Sequence, residues 1–226
     1  MSERGRSDSR GFLGLLDDAA RKALLAAGTE RFYRAGRPVY DEGRTAQTLA
    51  VLLEGRVKVA TVTRDGTNLL LALRGPGDLI GELSTLVGEE RTATVTAIDD
   101  VRLLVVPYSD FVDLLAINPQ MIDTLVRVLV GRVRESDGHR VELEQDTDER
   151  LARQLVRLAD RFGKAGPDGT VDIDLPLTQE ELASLTWASR GAVAEALRRL
   201  REAGLVETAR RRIVLLDLER LRARVP

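Results

Sequence analysis

The stretch 77–94 concentrates residue types that can bind a charged ligand. Arg91 carries a rigid fork of donors that matches the oxygens of a phosphate, and Thr92 adds a hydroxyl beside it. Glu82 can accept from a ligand hydroxyl, and the backbone amides of the Gly81–Leu83 turn can donate. No nucleophile triad, metal cluster or carboxylate pair accompanies these residues in the sequence, so the chemistry they favour is binding.

A second concentration of functional residue types lies at the C-terminal end of the chain. Residues 189–226 carry a net charge of +5, while the rest of the chain carries −7. A basic end on an otherwise acidic protein indicates a module that binds a polyanion.

This basic end has the pattern of a winged helix-turn-helix. Thr178–Glu181 has the residue types of a capping box that opens one helix, and Ser189 is suited to be the N-cap of a second helix. Two short β-rich runs, 205–207 and 213–216, then flank arginines at 210–212 and predict a basic wing.

The second helix is the expected recognition helix, because the first turn of such a helix meets base edges in the major groove. Arg190 lies there and can bind guanine through two hydrogen bonds, whereas the later arginines would mostly contact phosphate. The alternative is that this arginine-rich helix is an ordinary solvated face. The expected DNA-binding residues are Thr178, Ser189, Arg190, Gly191, Ala194, Glu195, Arg198, Arg210, Arg211 and Arg212.

Other elements must position these two groups of residues. Apolar residues at helical spacing over 12–27 predict a short opening helix. Between 29 and 106, short β-rich runs are separated by glycine-bearing turns at regular intervals, which predicts a barrel or sandwich. The sequence then predicts a short helix over Tyr108–Ile117.

A long helix is predicted to open at Asn118-Pro119 and to run to about Ser136. A helix of about 25 residues is about 37 Å long, more than a small domain needs, so we expect it to pair with a second copy. The alternative is a helix that packs on its own barrel. Its apolar stripe consists of Ile122, Leu125, Val126, Leu129, Val130 and Val133.

Composition excludes several classes of site. The chain contains no cysteine, which excludes disulfides, thiolate metal sites and iron–sulfur clusters. Its only histidine, His139, has no companions for a metal or catalytic site and is expected to be an exposed helical residue. Residues 1–10 lack the apolar core of a signal peptide, and no apolar run approaches the about 20 residues needed to cross a bilayer. We therefore expect a cytoplasmic protein with no membrane partner.

From the opening helix to the wing, the chain resembles the cyclic AMP receptor protein/FNR (CRP/FNR) family of regulators. The most specific element is Gly81-Glu82-Leu83 followed by Arg91-Thr92-Ala93, which looks like the phosphate-binding cassette of that family. The resemblance implies an α+β protein of three parts. These are an N-terminal jelly-roll β-barrel of the cyclic-nucleotide-binding type (1–117), a dimerisation helix with a hinge (118–146) and a C-terminal winged helix-turn-helix (147–226).

The resemblance also implies roles for individual residues. Arg91 would bind the phosphate and Glu82 the ribose hydroxyl. We expect Arg91→Ala to abolish binding with little loss of folding, since the side chain should face a polar pocket. The alternative is that Arg91 and Glu82 form a structural ion pair in a cassette that has lost its ligand. Glu135 and Ser136 take the place of two hydroxyl residues on the long helix of the family, which leaves the base preference open. The expected cyclic nucleotide-binding residues are Gly81, Glu82, Leu83, Arg91, Thr92, Ala93, Glu135 and Ser136.

The recognition helix departs from the family pattern at two positions. Gly191 replaces a glutamate and Glu195 replaces an arginine, so the usual half-site of the family is not assumed.

The function that follows is that of a homodimeric, DNA-binding transcription regulator, not an enzyme, with a palindromic operator and RNA polymerase as partners. Its allosteric ligand would be cyclic AMP or another cyclic nucleotide, and no cofactor or metal is expected. Two alternatives stay open. One is a regulator without a ligand, or with another effector, whose barrel is a dimerisation scaffold; the other is an enzyme that acts on cyclic nucleotides.

Overall fold

The computed structural model describes residues 11–142, 146–209 and 212–225, without the side chains of residues 135–142 and Pro167. The chain divides into two compact units, Met1–Arg134 and Glu135–Pro226, which are described separately below.

The first unit is built from two antiparallel sheets with helices at both ends of the chain segment. Its helices are α1 (Phe12–Leu15), α2 (Asp18–Ala27), α3 (Glu82–Val87), α4 (Tyr108–Ile117) and α5 (Pro119–Glu142), the last of which continues into the second unit. Its strands are β1 (Thr29–Tyr33), β2 (Pro38–Tyr40), β3 (Thr48–Glu54), β4 (Val57–Val62), β5 (Asn68–Arg74), β6 (Leu79–Ile80), β7 (Thr94–Ala97) and β8 (Val101–Pro107).

The two sheets enclose the core of the barrel that the sequence predicts. One sheet has the order β1-β8-β3-β6 and the other β2-β7-β4-β5, with all neighbours antiparallel. Leu52 and Leu103 from the first sheet pack with Val57 and Val95 from the second. The β-barrel and the α+β fold class are therefore confirmed.

The opening helix differs from the expectation, because it is two helices. Asp17 ends the continuity: its carboxylate accepts a hydrogen bond from the backbone amide of Ala20 at 2.7 Å and caps α2. Phe12 of α1 and Leu24 of α2 are fully buried in one cluster with Phe111 of α4. The break lets both short helices cover the same end of the barrel.

The long helix α5 has two apolar faces where the sequence suggested one stripe. Met121 and Leu125 are buried in the core of the first unit. Ile122, Val126, Val130 and Val133 are between 43% and 58% exposed, and their spacing of three or four residues places them on one face. No single helix of the described residues is long and apolar enough to span a membrane; α4 and residues 119–134 meet that test only as a pair bent by 116°.

The second unit packs helices on a small antiparallel sheet of order β11-β12-β10-β9. Its elements are α6 (Thr147–Phe162), β9 (Lys164–Ala165), β10 (Val171–Ile173), α7 (Gln179–Thr186), α8 (Arg190–Glu202), β11 (Val206–Ala209), β12 (Arg212–Leu215) and α9 (Leu218–Arg222).

Both predicted caps of the helix-turn-helix are present. The Thr178 hydroxyl accepts from the Glu181 amide at 3.1 Å, and the Glu181 carboxylate accepts from the Thr178 amide at 2.9 Å. Ser189 accepts from the Ala192 amide at 3.1 Å and starts α8. These bonds satisfy amides that a helix start leaves without partners, and they fix where the two helices begin.

Candidate ligand cavity and nucleic-acid interface

A cavity of about 210 Å³ opens in the first unit between α3 and the strands β4 to β7. The predicted cassette residues Gly81, Glu82, Leu83, Arg91, Thr92 and Ala93 all line it, so the structure brings both halves of the motif together. Side chains that the sequence did not single out complete the wall, among them Tyr40, Arg74, Ser84 and Arg132.

Arg91 is held by several protein groups in this cavity. Its Nη1 donates to the Gly81 carbonyl at 2.6 Å and to the Thr85 hydroxyl at 3.0 Å, and its Nη2 donates to the Thr48 carbonyl. Its guanidinium carbon lies 3.9 Å from the centre of the Tyr40 ring, within cation–π range. Burial lowers the pKa of the Arg91 guanidinium, while Tyr40 and Glu82 oppose that shift.

The anchoring of Arg91 changes one expectation. The sequence suggested that Arg91 faces a polar pocket and that its loss would leave folding nearly intact. Arg91 is only 5% exposed, and its bonds to the Gly81 and Thr48 carbonyls join the α3 region to β3. Because truncation of Arg91 removes these charge-assisted hydrogen bonds between buried groups, it should also destabilise the fold.

Position 81 requires glycine for two reasons, its backbone conformation and the side chains close to it. Its φ is +75°, in the left-handed region that favours glycine. A Cβ at this position would lie 2.6 Å from Arg91 Nη1 and 2.8 Å from Tyr40 Cε2. The glycine therefore allows the chain to pass directly over the arginine.

Glu82, the first residue of α3, is bonded to the long helix. Arg132 of α5 donates through Nη1 to the Glu82 carboxylate and through Nη2 to the Leu79 carbonyl, at 2.7 Å for the latter. The side chains of Glu82 and Arg132 are 2% and 17% exposed. The sequence-based alternative of a Glu82–Arg91 ion pair is wrong, because the ion pair of Glu82 is with Arg132.

Sequence reasoning missed Arg132 and Tyr40 for different reasons. Arg132 lies one helical turn before Glu135 and Ser136, so following that helix face would have found it. Tyr40 comes from β2, and nothing local in the sequence connects β2 with Arg91. Burial raises the pKa of the Tyr40 phenol, whose oxygen lies 3.4 Å from the Thr48 hydroxyl. The side chains of Glu135 and Ser136 lie outside the described residues.

In the second unit, α7 and α8 form the helix-turn-helix, with Trp187 at the turn in a left-handed conformation (φ 50°). Val193, Ala196, Leu197 and Leu200 bury one side of α8. Arg190, at the exposed start of the helix, donates to the Glu180 carboxylate at 3.2 Å.

Further along α8, the arginines are bonded to carboxylates. Arg198 binds Glu195 through two nitrogens and also donates to Glu202. Arg199 forms a two-bond pair with Asp148 of α6, at 2.7 Å for its Nε. The exposed face of α8 is therefore less basic than its arginine content suggests.

The wing is described only in part. Arg212 begins β12, and its Nε donates to the Asp172 carboxylate of β10 at 2.8 Å. Arg210 and Arg211 lie outside the described residues. Groups of three or more histidine or acidic residues that could hold a metal ion are absent from the described residues.

Comparison with known proteins identifies both units. Residues 30–118 match the family model of the cyclic nucleotide-binding domain, and residues 149–224 match that of the Crp-like helix-turn-helix domain. Together the two domains indicate a transcription regulator.

Two relatives and one solved structure extend this match over most of the chain. The chain is 34% identical over 190 residues to a CRP-like cAMP-activated global transcriptional regulator of Mycobacterium tuberculosis, covering 84% of each protein. It is 33% identical over 180 residues to the cyclic AMP receptor protein of Thermus thermophilus, covering 78% of each. A crystal structure of a CRP-family transcriptional regulator from Thermus thermophilus superposes with a TM-score of 0.71 at 28% identity, covering 86% of this chain and 95% of that one. The chain therefore belongs to the CRP/FNR family of transcription regulators, with the cyclic nucleotide-binding domain and the DNA-binding helix-turn-helix of that family.

Proposed function

We propose that the protein is a homodimeric regulator whose binding to a palindromic operator is controlled by a cyclic nucleotide, with cyclic AMP as the first candidate. The observation that carries this proposal is the cavity around which all six cassette residues of the first unit gather. The relatives named for cyclic AMP support the choice of ligand.

The cavity has the donors and acceptors that a cyclic nucleotide needs. Within the described residues, Arg91 donates to the Gly81 and Thr48 carbonyls and to the Thr85 hydroxyl, and we propose that its remaining N–H capacity serves a phosphate oxygen. The hydroxyl of Thr92 and the amides at the start of α3 supply further donors. Glu82 keeps acceptor capacity for the ribose 2′-hydroxyl beside its bond to Arg132. Glu135 and Ser136 are the residues that we propose for the base.

The bond between Glu82 and Arg132 supplies a route from ligand to dimer. A ribose hydroxyl that bonds to Glu82 shares this carboxylate with Arg132 of α5, so ligand binding can alter the bond that joins α3 to α5. A ligand shifts such an equilibrium only by its different affinity for the two arrangements. We propose that the bound arrangement of α5 brings two recognition helices about 34 Å apart, the spacing of adjacent major grooves.

The proposed dimer uses the exposed face of α5. Ile122, Val126, Val130 and Val133 would be covered by the same residues of a second copy, as in a two-stranded coiled coil. We propose that the dimer contacts RNA polymerase at the operator and acts in the cytoplasm.

The test is a calorimetric titration of the purified protein with cyclic AMP and cyclic GMP, followed by operator binding with and without the nucleotide. Arg91→Lys keeps the charge and loses the fork of donors, so the affinity for the nucleotide should fall at least about tenfold. Arg56→Lys is the matched control, because Arg56 is a partly buried arginine of the same unit that pairs with Asp99 away from the cavity.

A specific observation favours one second candidate. The cassette is already held together by protein groups, since Arg91 bonds to two carbonyls and Glu82 bonds to Arg132. A barrel held in this way can act as a dimerisation scaffold without a ligand. Absence of heat with either nucleotide, together with tight operator binding by the unliganded protein, would establish that candidate.

A further inference from the structure

The exposed face of α8, which would meet the bases of DNA, carries the acidic side chain of Glu195. Gly191 and Glu195 are one turn apart on this face, opposite the buried Val193 and Leu197. A Cβ at Gly191 would meet no atom within 4 Å. The glycine therefore leaves room through which a base edge can approach the Glu195 carboxylate.

The Glu195 carboxylate is held in place by arginines. Arg198 donates to it through Nη2 at 2.6 Å and through Nε at 2.9 Å, and Arg199 donates through Nη1 at 3.1 Å. Arg199 is itself bonded to Asp148 of α6. The Arg198 hydrogen bond lowers the pKa of the Glu195 carboxyl, so this group is ionised and can only accept near neutral pH. The two guanidinium groups also offset its repulsion from DNA phosphates.

We propose that Glu195 is a base-reading residue that selects cytosine, an inference that rests on the proposed operator binding. In the major groove, guanine presents two acceptors and thymine one, and neither suits a carboxylate. Adenine presents an amino donor beside the N7 acceptor, which repels a carboxylate, whereas cytosine presents its N4 amino group alone. A carboxylate that only accepts therefore favours cytosine.

The spacing along α8 sets where this base lies. Arg190 and Glu195 are five residues apart, a rise of about 7.5 Å along the helix axis. This rise exceeds the roughly 3.4 Å between neighbouring base pairs, so Arg190 and Glu195 are expected to contact different base pairs.

The experiment selects operator sequences from a randomised DNA pool with the full-length protein, with and without saturating cyclic AMP. Glu195→Ala and Glu195→Gln are compared with Glu202→Ala as matched control, since Glu202 also pairs with Arg198 on the exposed side of α8. Thermal melting followed by circular dichroism verifies that each variant folds.

The expected result is an inverted repeat with one strongly preferred cytosine in each half-site. Glu195→Ala should lose that preference alone, with roughly tenfold lower discrimination at this base pair. Glu195→Gln should shift the preference toward adenine, because an amide can pair with its N6 and N7. Glu202→Ala should select the wild-type sequence.

Two results would overturn the inference, and they differ from failure of the proposed function. One is a Glu195→Ala variant that binds all sequences more tightly by the same factor and selects an unchanged consensus, which would make Glu195 a charge-setting residue only. The other is a wild-type half-site without a preferred cytosine. If the wild-type protein enriches no sequence in either condition, the proposed operator binding itself is wrong.

Discussion

The ligand cavity and the recognition helix both depend on arginine but use it in opposite ways. Arg91 is buried, and its partners are backbone carbonyls and an aromatic ring that belong to the fold. Arg190 and Arg198 are at least half exposed, and their partners are carboxylates on exposed side chains. Exposed ion pairs contribute about 0–1 kcal/mol to stability, whereas buried hydrogen bonds to a charged group are part of the stability of the domain.

The largest effect is expected at the buried arginine. Arg91→Ala should lower the free energy of unfolding by about 3–5 kcal/mol, because two carbonyls lose a charged donor, and should abolish nucleotide binding. Arg190→Ala should change the free energy of unfolding by less than about 0.5 kcal/mol. Urea unfolding of both variants measures the contrast, and equal stabilities would show that Arg91 is not structurally anchored.

The glycines of the two regions should respond in opposite directions. Gly81→Ala should cost about 2–4 kcal/mol, since a left-handed residue gains a Cβ that contacts Arg91 and Tyr40. Gly191→Ala should stabilise the protein by up to about 1 kcal/mol, since it lies in a helix with open space around its Cα. Thermal or urea unfolding gives both values, and a destabilised Gly191→Ala would contradict the open surface described for α8.

For DNA affinity, the exposed Arg190 should matter more than for the stability of the fold. Arg190→Ala should cost about 1–3 kcal/mol on the selected operator and less on random DNA. Arg220→Ala in α9, whose side chain is as exposed and pairs with Asp217, serves as the control for general loss of charge. Equal losses on operator and random DNA would make Arg190 a phosphate contact.

The smallest effect is expected from an exposed ion pair of α8. Glu202→Gln removes one partner of Arg198, whose other partner Glu195 remains, so the free energy of unfolding should stay within about 0.5 kcal/mol of wild type. Repeating the urea titration at about 1 M salt should reduce even this difference, because exposed charges are screened. A loss of more than about 1 kcal/mol in the free energy of unfolding would show that this exposed pair stabilises the fold more than exposed pairs usually do.

The sequence predicted most of the fold because its signals are local. The capping box at Thr178, the N-cap at Ser189 and the glycine-separated strands each depend on neighbours in the chain. The expected single opening helix was wrong because the side chain of Asp17 caps a second helix in the middle of a continuous apolar pattern. The apolar stripe of α5 likewise divides into a buried and an exposed face, a distinction that periodicity alone does not make.

The candidate site was less accessible from sequence because its contacts join distant segments. The cassette residues were found as a motif, but the bonds from Arg91 to Thr48 and from Arg132 to Glu82 span 43 and 50 positions. The charge pattern of α8 predicted a basic helix and did not reveal that Arg198 and Arg199 are bonded to carboxylates. Which partner a charged side chain chooses depends on tertiary geometry that a count of charges does not contain.

The turn of the helix-turn-helix contains an intrinsic fluorescent probe. Trp187 is the only tryptophan of the chain, and it is 52% exposed two residues before the cap of α8. Excitation of tryptophan therefore reports on this turn alone, without any label. Quenching or a spectral shift on addition of an operator would follow DNA binding directly, and the same signal recorded with nucleotide but no DNA would show whether events in the cavity reach the recognition helix.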